Sequence, residues 1–196
     1  MSVSRQREWL IGALEGVPSI VFLALWRSGI DLQIAGWTGS ILAAALLIGF
    51  RRYSQPNDTI VLGINLHLLI ATPLIEAVYR LGGTDLALAL IAAAQSGLLV
   101  SILAVGAAQT VLSPRGYIGD TALAPRRRRL YSLALLAATA AAAAWSLANH
   151  GNPLLAFALP LMALFALRRF LIARARDRSD NPAPTLAATP AADVDG

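Results

Sequence analysis

The sequence predicts an all-α, polytopic transmembrane bundle of six spans built as three hairpins, with both termini on the cytoplasmic side. Three observations carry that prediction. Hydrophobic residues make up 57% of the 196-residue chain against 14% charged, and the mean hydropathy of +0.62 lies above that of an ordinary soluble domain. Apolar runs near the roughly 17–25 residues that a helix needs to cross the hydrocarbon recur six times. The 16 basic residues, all arginine, fall at the ends of those runs. With no basic, aromatic-interleaved soluble face, the pI near 10.7 reads as a topology signal and nucleic acid is excluded as a partner.

The spans fall at about 9–26, 34–50, 59–79, 86–108, 130–148 and 153–172. The first follows "MSVSRQRE", which resembles the basic start of a signal peptide, but it ends in "LALWRSG" with no small-residue cleavage site, so it reads as an anchor. The second closes on "LIGFRRY" and the sixth on "LFALRRF". Fourteen arginines (5, 7, 51, 52, 115, 126 to 129, 168, 169, 174, 176, 178) share one side, leaving Arg27 and Arg80 on the other, which makes the first side cytoplasmic. The outer turns "WRSGIDL" (26–32) and "YRLGGTDL" (79–86) share an aromatic, an arginine, a glycine and an aspartate, and "ANHGNP" (148–153) is a more divergent third.

The six spans make a transmembrane domain of residues 1–178, and two segments are expected outside the helical bundle itself. The loop 109–129 ends in Arg126, Arg127, Arg128 and Arg129, which would attract anionic lipid headgroups or act as a stop-transfer signal. The tail 179–196 is rich in Pro, Ala and Asp and reads as a disordered cytoplasmic extension. Arginine in place of lysine and abundant alanine suggest a GC-rich coding sequence, hence a bacterium and its inner membrane.

Catalytic chemistry has little to work with. There is no cysteine, which excludes disulfides and thiolate sites, and two histidines give no recognisable metal site. No nucleophile elbow, zinc-helix, Walker or dinucleotide signature is present, and no cofactor is implied. The informative residues are polar groups inside the spans. Asn65, Thr72 and Glu76 fall on one face of the third span and His67 on almost the opposite one, which marks that span as a candidate central helix. Glu15 and His67 lie roughly 4 Å and roughly 3 Å to the same side of their own span midpoints, so they are expected to meet at one depth. Pro18 frees the Leu14 carbonyl beside Glu15, and Gln95 and Ser96 sit near the middle of the fourth span. Glu76, Arg80 and Asp85 read as an outer rim.

Two readings of the deep groups stand. Ionisable side chains in hydrocarbon usually serve a proton relay, an ion path or a ligand, which makes Glu15, Asn65, His67 and Gln95 a candidate ligand-binding or proton-linked set. The same groups also serve as interhelical hydrogen-bonding glue. A transporter would surround them with water, a scaffold would bond them to one another, and a membrane enzyme would need a second carboxylate beside Glu15 on an open face.

The helix "VPSIVFLALW" with Pro18 and Phe22, Asp31 in a short outer turn, "FRR" (50–52), "SPRGYIGD" after the fourth span and "SLANHGNPLLAF" (146–157) together resemble the intracellular septation protein A-like family of small bacterial inner-membrane proteins. The resemblance follows topology over most of residues 9–172. It implies a non-catalytic integral membrane protein that acts in envelope maintenance or septation through contacts with other membrane proteins or a second copy of itself.

Overall fold

A computed structural model describes residues 3–52, 58–119, 123–149, 152 and 154–180, and among these every regular element is helical. The elements are α1 (Val3–Arg27), α2 (Leu32–Arg52), α3 (Thr59–Arg80), α4 (Thr84–Leu112), α5 (Pro125–Ala148), a π-helical turn (Leu154–Ala158) and α6 (Leu159–Asp180). Each expected span falls on one of these helices, the sixth on the π turn and α6 together. Four stretches are long and apolar enough to cross a membrane: α2, α3, α5 and Leu154–Ala175. The two halves of α4, Thr84–Ala94 and Ser96–Leu112, pass the same test as a fifth and are bent by 69° to each other. The bend falls beside Gly97, which lacks a side chain and whose carbonyl accepts the Ser101 hydroxyl at 2.9 Å, both of which loosen the helix.

The α1–α2 and α3–α4 turns are the same structure. Gly29 (φ +81°) and Gly82 (φ +85°) each stand three residues after the shared aromatic, in the left-handed conformation that closes a helix. The next residue donates back across the turn, Ile30 N–H to Leu25 O at 3.2 Å and Gly83 N–H to Val78 O at 3.0 Å. Both turns thereby satisfy carbonyls that the helix end would leave bare. Asp31 then accepts from Gln33 N–H at 2.7 Å and starts α2.

Among the packed pairs, α3 lies against α1, α2 and α4, which places it centrally as its two polar faces suggest. The core runs from Ile60 and Ile64 on α3 through Leu99 and Ile102 on α4 to Leu135 on α5 and Leu164 on α6. A Cβ on Gly63 would stand 2.6 Å from Ile102 Cα, so α3 and α4 touch backbone to backbone there. Apolar side chains gain little by leaving lipid, and close van der Waals approach at such positions is what holds helices together.

The connection between α4 and α5 corrects the expectation of a surface loop over 109–129. Helix α4 runs on to Leu112, and α5 begins at Pro125, so Arg126 to Arg129 form its first turn. Of the described residues between, Gly116, Tyr117, Ile118 and Leu123 are buried against the bundle, Tyr117 and Ile118 fully. The Tyr117 ring lies over Gly106, where a Cβ would stand 2.5 Å from Cε1. Its hydroxyl is 2.8 Å from Thr139 Oγ1, and because Thr139 donates to Leu135 O at 2.7 Å, the phenol is the donor. Burial pushes the Tyr117 phenol up to about 12, so it keeps that proton at neutral pH. At the C-terminus, α6 extends through Asp180, two residues into the expected tail; residues 181–196 lie outside the described chain.

Replacing Gly63 with leucine is expected to lower unfolding stability in detergent by about 1–3 kcal/mol, the usual cost of forcing extra carbons into a packed contact. Gly49→Leu is the control, since nothing stands within 4 Å of a Cβ there. Equal unfolding midpoints for the two variants would contradict the α3–α4 contact.

Candidate functional site

The polar centre of the molecule is built around the start of α3. In "NDTI", Asp58 is the N-cap: its backbone is extended (φ −65°, ψ 126°) and Oδ1 accepts the Ile60 N–H at 2.9 Å, filling one of the helix's free donors. The second oxygen, Oδ2, is ion-paired with Arg168 Nη1 from α6. Arg168 Nη2 donates to Ile118 O at 3.3 Å, which fastens the buried loop to the same guanidinium. The Asp58 N–H donates to the Glu15 carboxylate, lying 3.3 and 3.4 Å from its two oxygens. Asn65 Nδ2, two turns along α3, donates to the Glu15 backbone carbonyl at 3.2 Å. Four parts of the chain (α1, α3, the α4–α5 loop and α6) thus converge on one cluster of two carboxyl groups and one guanidinium.

Glu15 and His67, expected to pair, do not. A helical Cα–Cβ bond tilts toward the helix N-terminus, so the Glu15 side chain is thrown down toward Asp58 rather than across at its own level. Asp58 lies nine residues before His67, about 13 Å along the helix. Matching backbone depth ignored that direction. His67 faces α4 instead: Nδ1 is 3.2 Å from Ser101 Oγ, and Ser101 Oγ donates to Gly97 O at 2.9 Å. A Cβ on Gly97 would stand 3.2 Å from His67 Cε1, so the absent side chain leaves room for the ring beside the α4 bend.

Of the predicted ligand-binding or proton-linked set, the structure therefore brings Glu15 and Asn65 together and sends His67 elsewhere; the Gln95 side chain lies outside the described residues. Ser96 Oγ is 3.1 Å from Ser146 Oγ and ties α4 to α5. At the outer rim, Glu76 pairs with Arg80 at 2.6 Å and accepts from Gln33 Nε2 at 2.9 Å, joining α3 to α2, while Asp85 is exposed. With the Arg80 side chain 74% exposed, that ion pair adds little stability. Among the described residues no three His, Asp or Glu side chains gather where a metal ion could be held.

Asp58 and Arg168 escaped sequence reading because each resembled ordinary punctuation. Asp58 stands one residue ahead of the third span and reads as a helix start. Arg168 was counted with the topology arginines, although it lies within the apolar run 153–172, where a charge needs a partner. That position was the available signal. Asp58 also supplies the second carboxylate beside Glu15 that enzyme chemistry would need, and Glu15 is only 5% exposed. Compared with protein-family models, curated proteins and solved structures, the chain matches none.

A double-mutant cycle of Asp58→Asn and Arg168→Gln is expected to give single losses of about 2–3 kcal/mol, below the figure for fully buried pairs because each side chain is nearly a fifth exposed. Asparagine keeps the N-cap, so the loss reports the ion pair. The parallel cycle of Glu15→Gln and His67→Leu should be additive within roughly 0.5 kcal/mol. Coupling in the second cycle and none in the first would reverse this account of the site.

Proposed function

We propose that the chain is a six-span bacterial inner-membrane protein with cytoplasmic termini, and that it acts without catalysis through helix contacts with other membrane proteins, in envelope maintenance or septation. The observation that carries this reading is the mutual bonding of the deep polar groups. The Glu15 carboxylate is taken by the Asp58 N–H, the Glu15 carbonyl by Asn65 and the His67 ring by Ser101. Groups used up on one another hold helices in place and leave little for a passing solute. The orientation rests on the division of 14 arginines from two, and the six crossings count α1 and the bent α4 along with the four stretches named above. The role in the envelope follows from the resemblance to the septation protein A-like family.

A small transporter, or the substrate-binding membrane component of one, is the second reading, and one observation favours it. Ser19 Oγ, one turn beyond Glu15, and Asn65 Oδ1 are buried with no hydrogen-bond partner among the described residues. Two such groups flanking a carboxylate suit a hydrated path better than dry packing.

The chain has no cysteine, so single-cysteine variants report cleanly in intact membranes. Cysteines at 52 and 128 are expected to react only with reagent supplied on the cytoplasmic side, and those at 29, 83 and 151 only from outside. Cysteines at 19 and 65 should resist a charged thiol reagent from both sides. Rapid labelling at 19 and 65 would replace the scaffold reading with the transporter. Photo-crosslinkers on the exposed faces of Ile41 and Met162 should trap other membrane proteins in native membranes, and crosslinks to lipid alone would count against a helix-contact role.

A further inference from the structure

At the basic end, the last turn of α4, the loop behind it and the first turns of α5 line an open cavity of about 250 Å³. On α5 its wall is Pro125, Arg128, Arg129 and Ser132, the i, i+3, i+4, i+7 positions that share one helix face; Arg126 and Arg127 fall off that face, and Arg128 is the half-buried one of the four arginines. We propose that this cavity binds a phosphate-bearing anion, gripped by the guanidinium groups of Arg128 and Arg129 and by the Ser132 hydroxyl.

Three features support the assignment. Neither arginine has an ion-pair partner among the described residues, whereas Arg168 and Arg80 both do. Cations in the first turn of a helix oppose its dipole, so helix stability does not explain their position. Ser132 is only 1% exposed, yet its hydroxyl accepts a single long bond, from Ile118 N–H at 3.4 Å, and has no acceptor for its own proton among the described residues. A buried hydroxyl with a spare donor, in the wall that also carries two arginines with no ion-pair partner, is a donor set without an acceptor among the described residues. Phosphate oxygens supply the acceptors, and arginine's planar fork matches them in pairs. Gly116 (φ +63°) leaves the space open: a Cβ there would stand 2.6 Å from Ser132 Oγ and 3.6 Å from Arg128 Cγ. The cavity lies at helix ends, the level of lipid headgroups, so the phosphate of an anionic phospholipid can reach it as readily as a free one.

The experiment is native mass spectrometry of the full-length protein in detergent with added phosphatidylglycerol, repeated with millimolar inorganic phosphate as competitor. Arg128→Gln/Arg129→Gln should lose bound lipid by roughly 30-fold, through loss of two sets of charge-assisted hydrogen bonds to phosphate. Arg126→Gln/Arg127→Gln removes the same charge without those bonds and should lose less than about threefold, the screened share of diffuse charge. Ser132→Ala should weaken retention further than Arg126→Gln/Arg127→Gln does. Displacement of the lipid by inorganic phosphate would make the free anion a ligand of the same cavity, and undisturbed retention would make the headgroup its ligand. Equal losses in the two arginine pairs would overturn the proposal, because diffuse charge alone would then account for binding. If Arg128→Gln/Arg129→Gln does not fold, Arg128→Lys/Arg129→Lys keeps the charge while losing the paired geometry, and lipid retention equal to that of the unaltered protein would equally overturn it.

Discussion

The Asp58–Arg168 ion pair is the constraint on which the arrangement of this bundle depends. Lipid tails are as apolar as leucine, so burial alone does not choose among the many ways six apolar helices can assemble. A charged pair set largely out of water does choose, since separating its members strands both in a medium that solvates neither. The pair joins the first residue of the α3 cap to the middle of α6. Through the free edges of the same groups it also fixes α1, by the Asp58 N–H to Glu15, and the α4–α5 loop, by Arg168 to Ile118 O.

Around that anchor, α3 acts as the axis. Its Asn65 and Glu76 bond toward α1 and α2, while Gly63 and His67 meet α4. One face recognises partners through polar groups and the other mainly through close backbone contact, with a single imidazole bond beside the bend. The buried loop completes the packing on the far side, where the Tyr117 ring occupies the space that Gly106 leaves and its hydroxyl is held by Thr139. Sequence-remote glycines thus act as sockets, each shaped for one large neighbour.

Much of this was legible in the residues and some of it could not be. Helix positions were readable because membrane-length apolar runs are set by bilayer thickness, a constraint written in single residues. The shared outer turns were readable because only glycine accepts the left-handed conformation at 29 and 82 without strain. The depth of Glu15 was misjudged because side-chain direction along a helix moves a long carboxylate by a turn or more. The burial of the α4–α5 loop was hidden for a different reason: "SPRGYIGD" is polar in composition, and nothing local reveals that Tyr117 and Ile118 have a pocket waiting between distant helices. The pairing of Asp58 with Arg168 is likewise a fact about two positions, and each alone resembles common helix-end chemistry.

Those two residues are 110 positions apart. At ordinary synthesis rates of roughly 5–20 residues per second, the aspartate waits about 5–20 s for its arginine to leave the ribosome. During that interval Asp58 Oδ2 and the Ile118 carbonyl lack the guanidinium that joins them, so the contact that ties α3 and the α4–α5 loop to α6 is still unmade. The last helix is therefore the latch of biosynthesis. A nascent chain halted before α6 would present the membrane's quality-control machinery with an unpaired carboxylate, a direct mark of incompleteness.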